Sequence, residues 1–190
     1  MATKTAIQIW QELESKGARV RYRPVTAEEI AAAEKELSIV FPPSYVTLVT
    51  TLGAPAVLPR LPPRADPTLP ENLDYTVLVP AEIVEKTYEL RDSVEPALFE
   101  DPDSVERVRD QLDEAVLFQY GLDAGEGFVF LLDTGTDGEM TTADYSHEYL
   151  EELDWGPESQ AVFASFTAAQ EHVATQVVES WNEYADTPAP

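Results

Sequence analysis

The sequence predicts an α+β fold: a single domain in which a mostly antiparallel, twisted sheet with a β-meander core is flanked by helices. Three observations carry this. The chain has 190 residues, 44% of them hydrophobic and 25% charged, the size and balance of one ordinary folded domain that needs no covalent staple. Apolar residues recur at helical spacing through its first half and again near its end. Between residues 115 and 145 short apolar runs alternate with glycine-bearing turns, the pattern of a meander. The domain is expected to span 1–190, with its core over 24–182, a helix and basic segment at 1–23, and a frayed tail at 183–190.

The first helix is expected over residues 4–16, with Ala6, Ile9, Trp10 and Leu13 on one face and Gly17 as its stop. Arg19, Arg21 and Arg23 then lead to Pro24. Thr26-Ala27-Glu28-Glu29 is a capping box: the Thr26 hydroxyl accepts from the Glu29 amide while Glu29 reaches back. It opens a helix with Ile30, Ala33 and Leu37 inward, ending near Ser38 because Pro42 and Pro43 cannot continue it. Pro43 starts the next helix, whose stripe is Tyr45, Leu48, Val49 and Leu52 and whose stop is Gly53.

Six prolines between residues 55 and 70 predict an irregular surface loop inside the domain. Tyr75–Val79 reads as a strand and Ala81–Arg91 as a helix. Asp103–Leu112 reads as another helix, capped by Asp103, with Val105, Val108 and Leu112 as its apolar face. Ala115–Tyr120 and Phe128–Leu132 are strands joined through a turn with three glycines; the second is apolar throughout and belongs at the centre of the sheet. Glu139–Tyr145 returns beside it after Gly135 and Gly138. Ser165–Trp181 closes the fold as a helix with Phe166, Val173, Val177 and Trp181 on one side.

Charge narrows the function classes. The net charge is −24, and it is unevenly placed. Residues 1–60 carry seven cations and six carboxylates, residues 61–109 five and twelve, and residues 110–190 none and eighteen. Arg109 is the last cation. Such a surface repels phosphate, so no nucleic-acid or anionic-membrane partner is expected. What it attracts is cationic: a basic protein, a polyamine or a divalent metal. The absence of cysteine excludes disulfides, thiol catalysis and thiolate metal sites. Met1–Trp10 lacks the apolar core of a signal peptide, and no run reaches the roughly 18 apolar residues of a membrane span, so a cytoplasmic location is expected.

Three constellations resemble catalytic or metal motifs and fail on chemistry. Asp133-Thr134-Gly135 looks like an aspartic-protease loop, but that reaction needs two carboxylates sharing a proton, and one copy is present. Asp133, Asp137, Gly138 and Asp144 fall at calcium-loop spacing, yet the bidentate Glu is missing and strands flank the segment. His147 and His172 lie on different elements and cannot supply a zinc ligand set. No enzyme, cofactor or metal site is expected.

The order of pieces is itself distinctive. The capped helix, Ala33-Glu34-Lys35-Glu36-Leu37-Ser38, the elbow Ile39-Val40-Phe41-Pro42-Pro43-Ser44-Tyr45, and the stop at Leu52-Gly53 resemble the opening of the SUKH superfamily. Leu78-Val79-Pro80-Ala81-Glu82-Ile83-Val84 is similar to its strand-to-helix step. Leu117–Gly121 with Gly127–Phe130 is similar to its central hairpin, and Phe163-Ala164-Ser165-Phe166 to the start of its last helix. The resemblance implies a bacterial immunity protein that neutralises a cognate toxin, possibly a nuclease, by stoichiometric occlusion, in the SMI1/KNR4-like manner. A regulatory scaffold recruiting a basic protein is the alternative it implies. It supplies no catalytic residues. A monomer is expected.

The expected contacts sit in turns and at a strand end of the most acidic third: Asp123, Glu126, Asp137, Glu139, Asp144, Glu148, Glu151, Glu152 and Asp154. Tyr145 and Tyr149 are the expected aromatic anchors. Leu150, Leu153 and Trp155 read as core.

Overall fold

The computed structural model describes residues 4–58, 74–94, 99, 101–121, 126–132, 135–146, 155 and 162–185. The helices are α1 (Ala6–Ser15), α2 (Ala27–Leu37), α3 (Pro43–Thr51), α4 (Pro80–Asp92), α5 (Pro102–Asp113) and α6 (Phe166–Ala185). The strands are β1 (Arg19–Arg23), β2 (Ala54–Leu58), β3 (Asp74–Val77), β4 (Ala115–Tyr120), β5 (Glu126–Leu131), β6 (Thr142–Ser146) and β7 (Val162–Phe163). They form one sheet in chain order, every neighbouring pair antiparallel. The predicted meander is therefore there, and it extends through all seven strands.

Both early helices carry complete capping boxes, Thr5 with Gln8 on α1 and Thr26 with Glu29 on α2. Ser38 ends α2 in the left-handed conformation at φ 57°. Gly53 is required after α3: its φ is +98°, and a Cβ there would sit 2.6 Å from the Arg23 carbonyl oxygen. That close approach lets β1 pass directly beside the start of β2.

Several expectations need correction. Arg19–Arg23 is an edge strand paired with β2, not a connecting segment. The proline-rich stretch opens with a strand as well, Ala54–Leu58, and residues 59–73 lie outside the described residues. Pro55 is tolerated because β3's pairing begins at Ala56, so at Pro55 the strand is bonded on the β1 side alone. Helix α5 starts at Pro102, which puts Asp103 inside it instead of at its cap. Strand β6 begins at Thr142, three residues later than expected, because the preceding turn still holds Glu139, its amide donating to the Thr136 carbonyl oxygen.

Alternate residues of β6 show how the helices are layered. Asp144 faces His172 of α6, whereas the Tyr145 hydroxyl bonds Ser93 at the end of α4. Successive strand residues point to opposite faces, so α6, with α1 and α3, covers one face while α4, with α2 and α5, covers the other. On the α6 face Tyr45 stands edge-on to Phe130 (5.8 Å) and Phe166 (5.6 Å), and Phe118 stacks on Phe130 at 4.1 Å. A β-bulge makes this possible. Phe118 and Gln119 of β4 together oppose Phe128 of β5, and both of them meet α6.

Gln119 belongs to a buried polar chain. The Trp10 indole donates to the Gln170 Oε1 (3.0 Å), and the Gln170 Nε2 donates to the Gln119 Oε1 (2.7 Å). These three side chains tie α1, α6 and β4 together through the core.

Candidate functional site

Five of the eleven expected contacts lie among the described residues: Glu126, Asp137, Glu139, Asp144 and Tyr145. Asp123, Glu148, Tyr149, Glu151, Glu152 and Asp154 lie outside them, as do Asp133, His147, Leu150 and Leu153. The structure brings two of the five together and separates the other three.

Glu126 and Asp144 share one face. Register pairs Glu126 with Ser146 and Phe128 with Asp144, so the two carboxylates are diagonal neighbours across β5 and β6. They line a hollow of about 280 Å³ with Tyr75, Ser146 and Gln176. Tyr75 reaches it from a left-handed backbone at φ 44°. Asp144 sits on the exposed rim, yet partial desolvation raises its carboxyl pKa above the ordinary value. His172 and the Tyr145 amide offset this only in part. Trp155 supports the rim: its indole donates to the Asp144 carbonyl oxygen at 2.9 Å, and its ring packs against the core.

Glu139 does a different job. Helix α3 begins at Pro42-Pro43 with no side-chain cap of its own. Glu139 supplies one from 95 residues away, its Oε1 accepting from the Ser44 amide (2.9 Å) and its Oε2 from the Ser44 hydroxyl (2.5 Å). Caps of this kind are worth about 1 kcal/mol, and a carboxylate at a helix N-terminus gains further from the dipole. The turn before it is bent tightly enough that a Cβ on Gly135 would overlap the Glu139 carbonyl oxygen. Asp137, left-handed at φ 57°, is exposed at the tip of that turn, away from the hollow's lining.

Tyr145 is a core residue. It is 7% exposed and points to the α4 side, opposite to Asp144, so it offers no surface anchor. Alternation along β6 carries this signal: a strand that aims Asp144 at one face must aim Tyr145 at the other. Tyr75 and Gln176, which complete the hollow, have no sequence signature of their own, because a left-handed tyrosine and a mid-helix glutamine are placed by tertiary packing.

Among the described residues no group of three or more His, Asp or Glu side chains converges on a metal position, and no helix is long and apolar enough to cross a membrane. A seven-stranded antiparallel meander with helices on both faces, entered by the capped helix pair and the Phe41-Pro42-Pro43 elbow, defines an α+β domain of the SUKH kind. The family model for SMI1/KNR4 (SUKH-1) matches residues 24–184, and the chain belongs to that family. No curated protein matches the chain closely enough to stand as a relative. Helix α1 and strand β1 precede the matched span, yet they pack on α6 and pair with β2, so they are built into the same unit.

Proposed function

We propose that the chain is an immunity protein: it binds a cognate basic toxin and neutralises it by covering the toxin's active or substrate-binding site, without chemistry of its own. Family membership supports the class. The observation that carries the site is the pair Glu126 and Asp144 around one hollow, in a chain with no cation after Arg109. A hollow of that size accepts a lysine or arginine side chain, and two carboxylates supply the charge to hold it. Against a nuclease the same carboxylates stand where substrate phosphates would bind. Asp144 is held partly desolvated, so an arriving cation meets a carboxylate that has already lost part of its water.

The test is kinetic. A toxin captured with the chain should lose its activity at one equivalent of the purified protein. Association should approach ~10⁸ M⁻¹s⁻¹ at low salt and fall steeply with ionic strength. The double variant Glu126→Gln/Asp144→Asn should slow association severalfold. Inhibition indifferent both to salt and to this pair would remove the acidic hollow from recognition; no inhibition at equivalence would remove the immunity reading itself.

A further inference from the structure

We propose that the groove between α1 and α6 is a two-fold interface through which two copies of this chain associate weakly. At about 460 Å³ it is larger than the acidic hollow and lies on the other side of α6's contacts, against α1. Its floor is apolar, made by Ile9 and Leu13 of α1 and by Ala174 and Val178 of α6.

The two rims differ in sign. On the α1 side Lys4 and Lys16 both pair with the single carboxylate of Glu12, which their attraction holds down at a pKa of about 2. Two cations on one anion leave that rim positive. On the α6 side Glu171, Thr175 and Glu179 form an exposed stripe at four-residue spacing. Neither glutamate has an ion-pair partner among the described residues, and no lysine or arginine follows Arg109 in the sequence.

A surface with one positive rim, one negative rim and an apolar floor is self-complementary under a two-fold axis. The axis places the α1 rim of one copy against the α6 rim of its partner, twice. A second copy is therefore the occupant whose charges match both rims at once; a uniformly basic partner would oppose Lys4 and Lys16.

Size fixes the strength. A ten-residue helix such as α1 is about 15 Å long and helices pack 8–10 Å apart, so the face is well below the roughly 800 Å² per partner of a stable complex. The net charge of −24 on each copy adds long-range repulsion, which salt at about 0.15 M screens beyond ~8 Å while leaving close rim pairs in place. The dimer is thus a weak one, formed at tens of micromolar or more.

Sedimentation velocity or native mass spectrometry of the full chain at about 0.15 M salt tests this, with circular dichroism as the check on folding. The wild type should shift from monomer toward dimer as concentration rises through the tens to hundreds of micromolar. Lys16→Glu alone and Glu179→Lys alone should each be monomeric, since each makes like charges face one another. An equimolar mixture of the two should dimerise again as a heterodimer, because both facing pairs are then opposite in sign. A wild type that stays monomeric overturns the proposal, and so does a dimer indifferent to both substitutions. A monomer whose Glu171 and Glu179 resonances move on adding poly-lysine would give the groove to a basic partner instead, which also overturns it.

Discussion

Asp144 pays for its position. Burial raises the folded carboxyl's pKa above the unfolded value, so the native state holds its proton more tightly than the unfolded chain does. The sign follows directly. Its contribution is neutral below the unfolded value near 3.8 and becomes destabilising as pH rises through the raised folded value. Asp144→Asn should therefore melt higher than wild type at pH 7, with the advantage shrinking as pH falls toward 4. Thermal melts at the two pH values check it, and an equal or lower melting temperature at pH 7 would show that His172 already compensates the carboxylate. A residue that costs stability at neutral pH is a natural candidate for function. At this scale the sequence was a fair guide to which residues are acidic and near a turn, and a poor one to what each does. Glu139 and Asp144 are five residues apart in similar polar surroundings, yet one caps a helix 95 residues away and the other lines a hollow. Only the path of the chain separates them.

Elements were legible where a local rule decides them. The capping box at Thr26, the stop at Gly53 and the buried runs of β4 and β5 all follow from side-chain chemistry within a few residues. What escaped was structure fixed from outside. Strand β1 is Arg-Val-Arg-Tyr-Arg, a polar-looking run that survives as an edge because its arginines guard it; Arg23 reaches Glu82 at 2.6 Å and the Val77 carbonyl at 2.8 Å. Strand β2 was hidden by Pro55, and β7 is two residues long. The fastening of α1 was equally invisible, because Trp10 and Gln170 are 160 residues apart. Replacing Trp10 by Phe should remove the indole donor and leave the buried Gln170 oxygen unpaired. The expected loss is about 1–3 kcal/mol, with a further contribution from the smaller ring. A lowered urea midpoint at unchanged slope is the reading to look for. A midpoint within error of wild type would mean that α1 is held by its apolar face alone.

For the molecule as a whole, charge is the dominant variable. Eighteen carboxylates and no cation follow Arg109, and holding so one-sided a segment in a compact fold costs self-repulsion. That repulsion acts on the carboxylates once they ionise, so stability should decline as pH climbs through the carboxylate range. At pH 8 and low ionic strength, adding about 0.2 M sodium chloride should raise the melting temperature, because screening relieves exposed like charges first. A melting temperature flat in salt and in pH from 5.5 to 8 would show the carboxylates to be locally compensated. The same surplus is what a basic partner would relieve on docking, so stability and recognition draw on one store of charge.

The sheet's strand order has a consequence for how the chain is made. Every strand pairs with the one synthesised just before it, so a ribosome could lay the meander down in sequence, each new edge finding its neighbour already in place. Helix α1 is the exception. It precedes every strand while its partner α6 follows them, so the indole of Trp10 has no acceptor until Gln170 is made. The helix waits for that bond while the whole meander is synthesised. Its docking on α6 is the clasp that closes the meander.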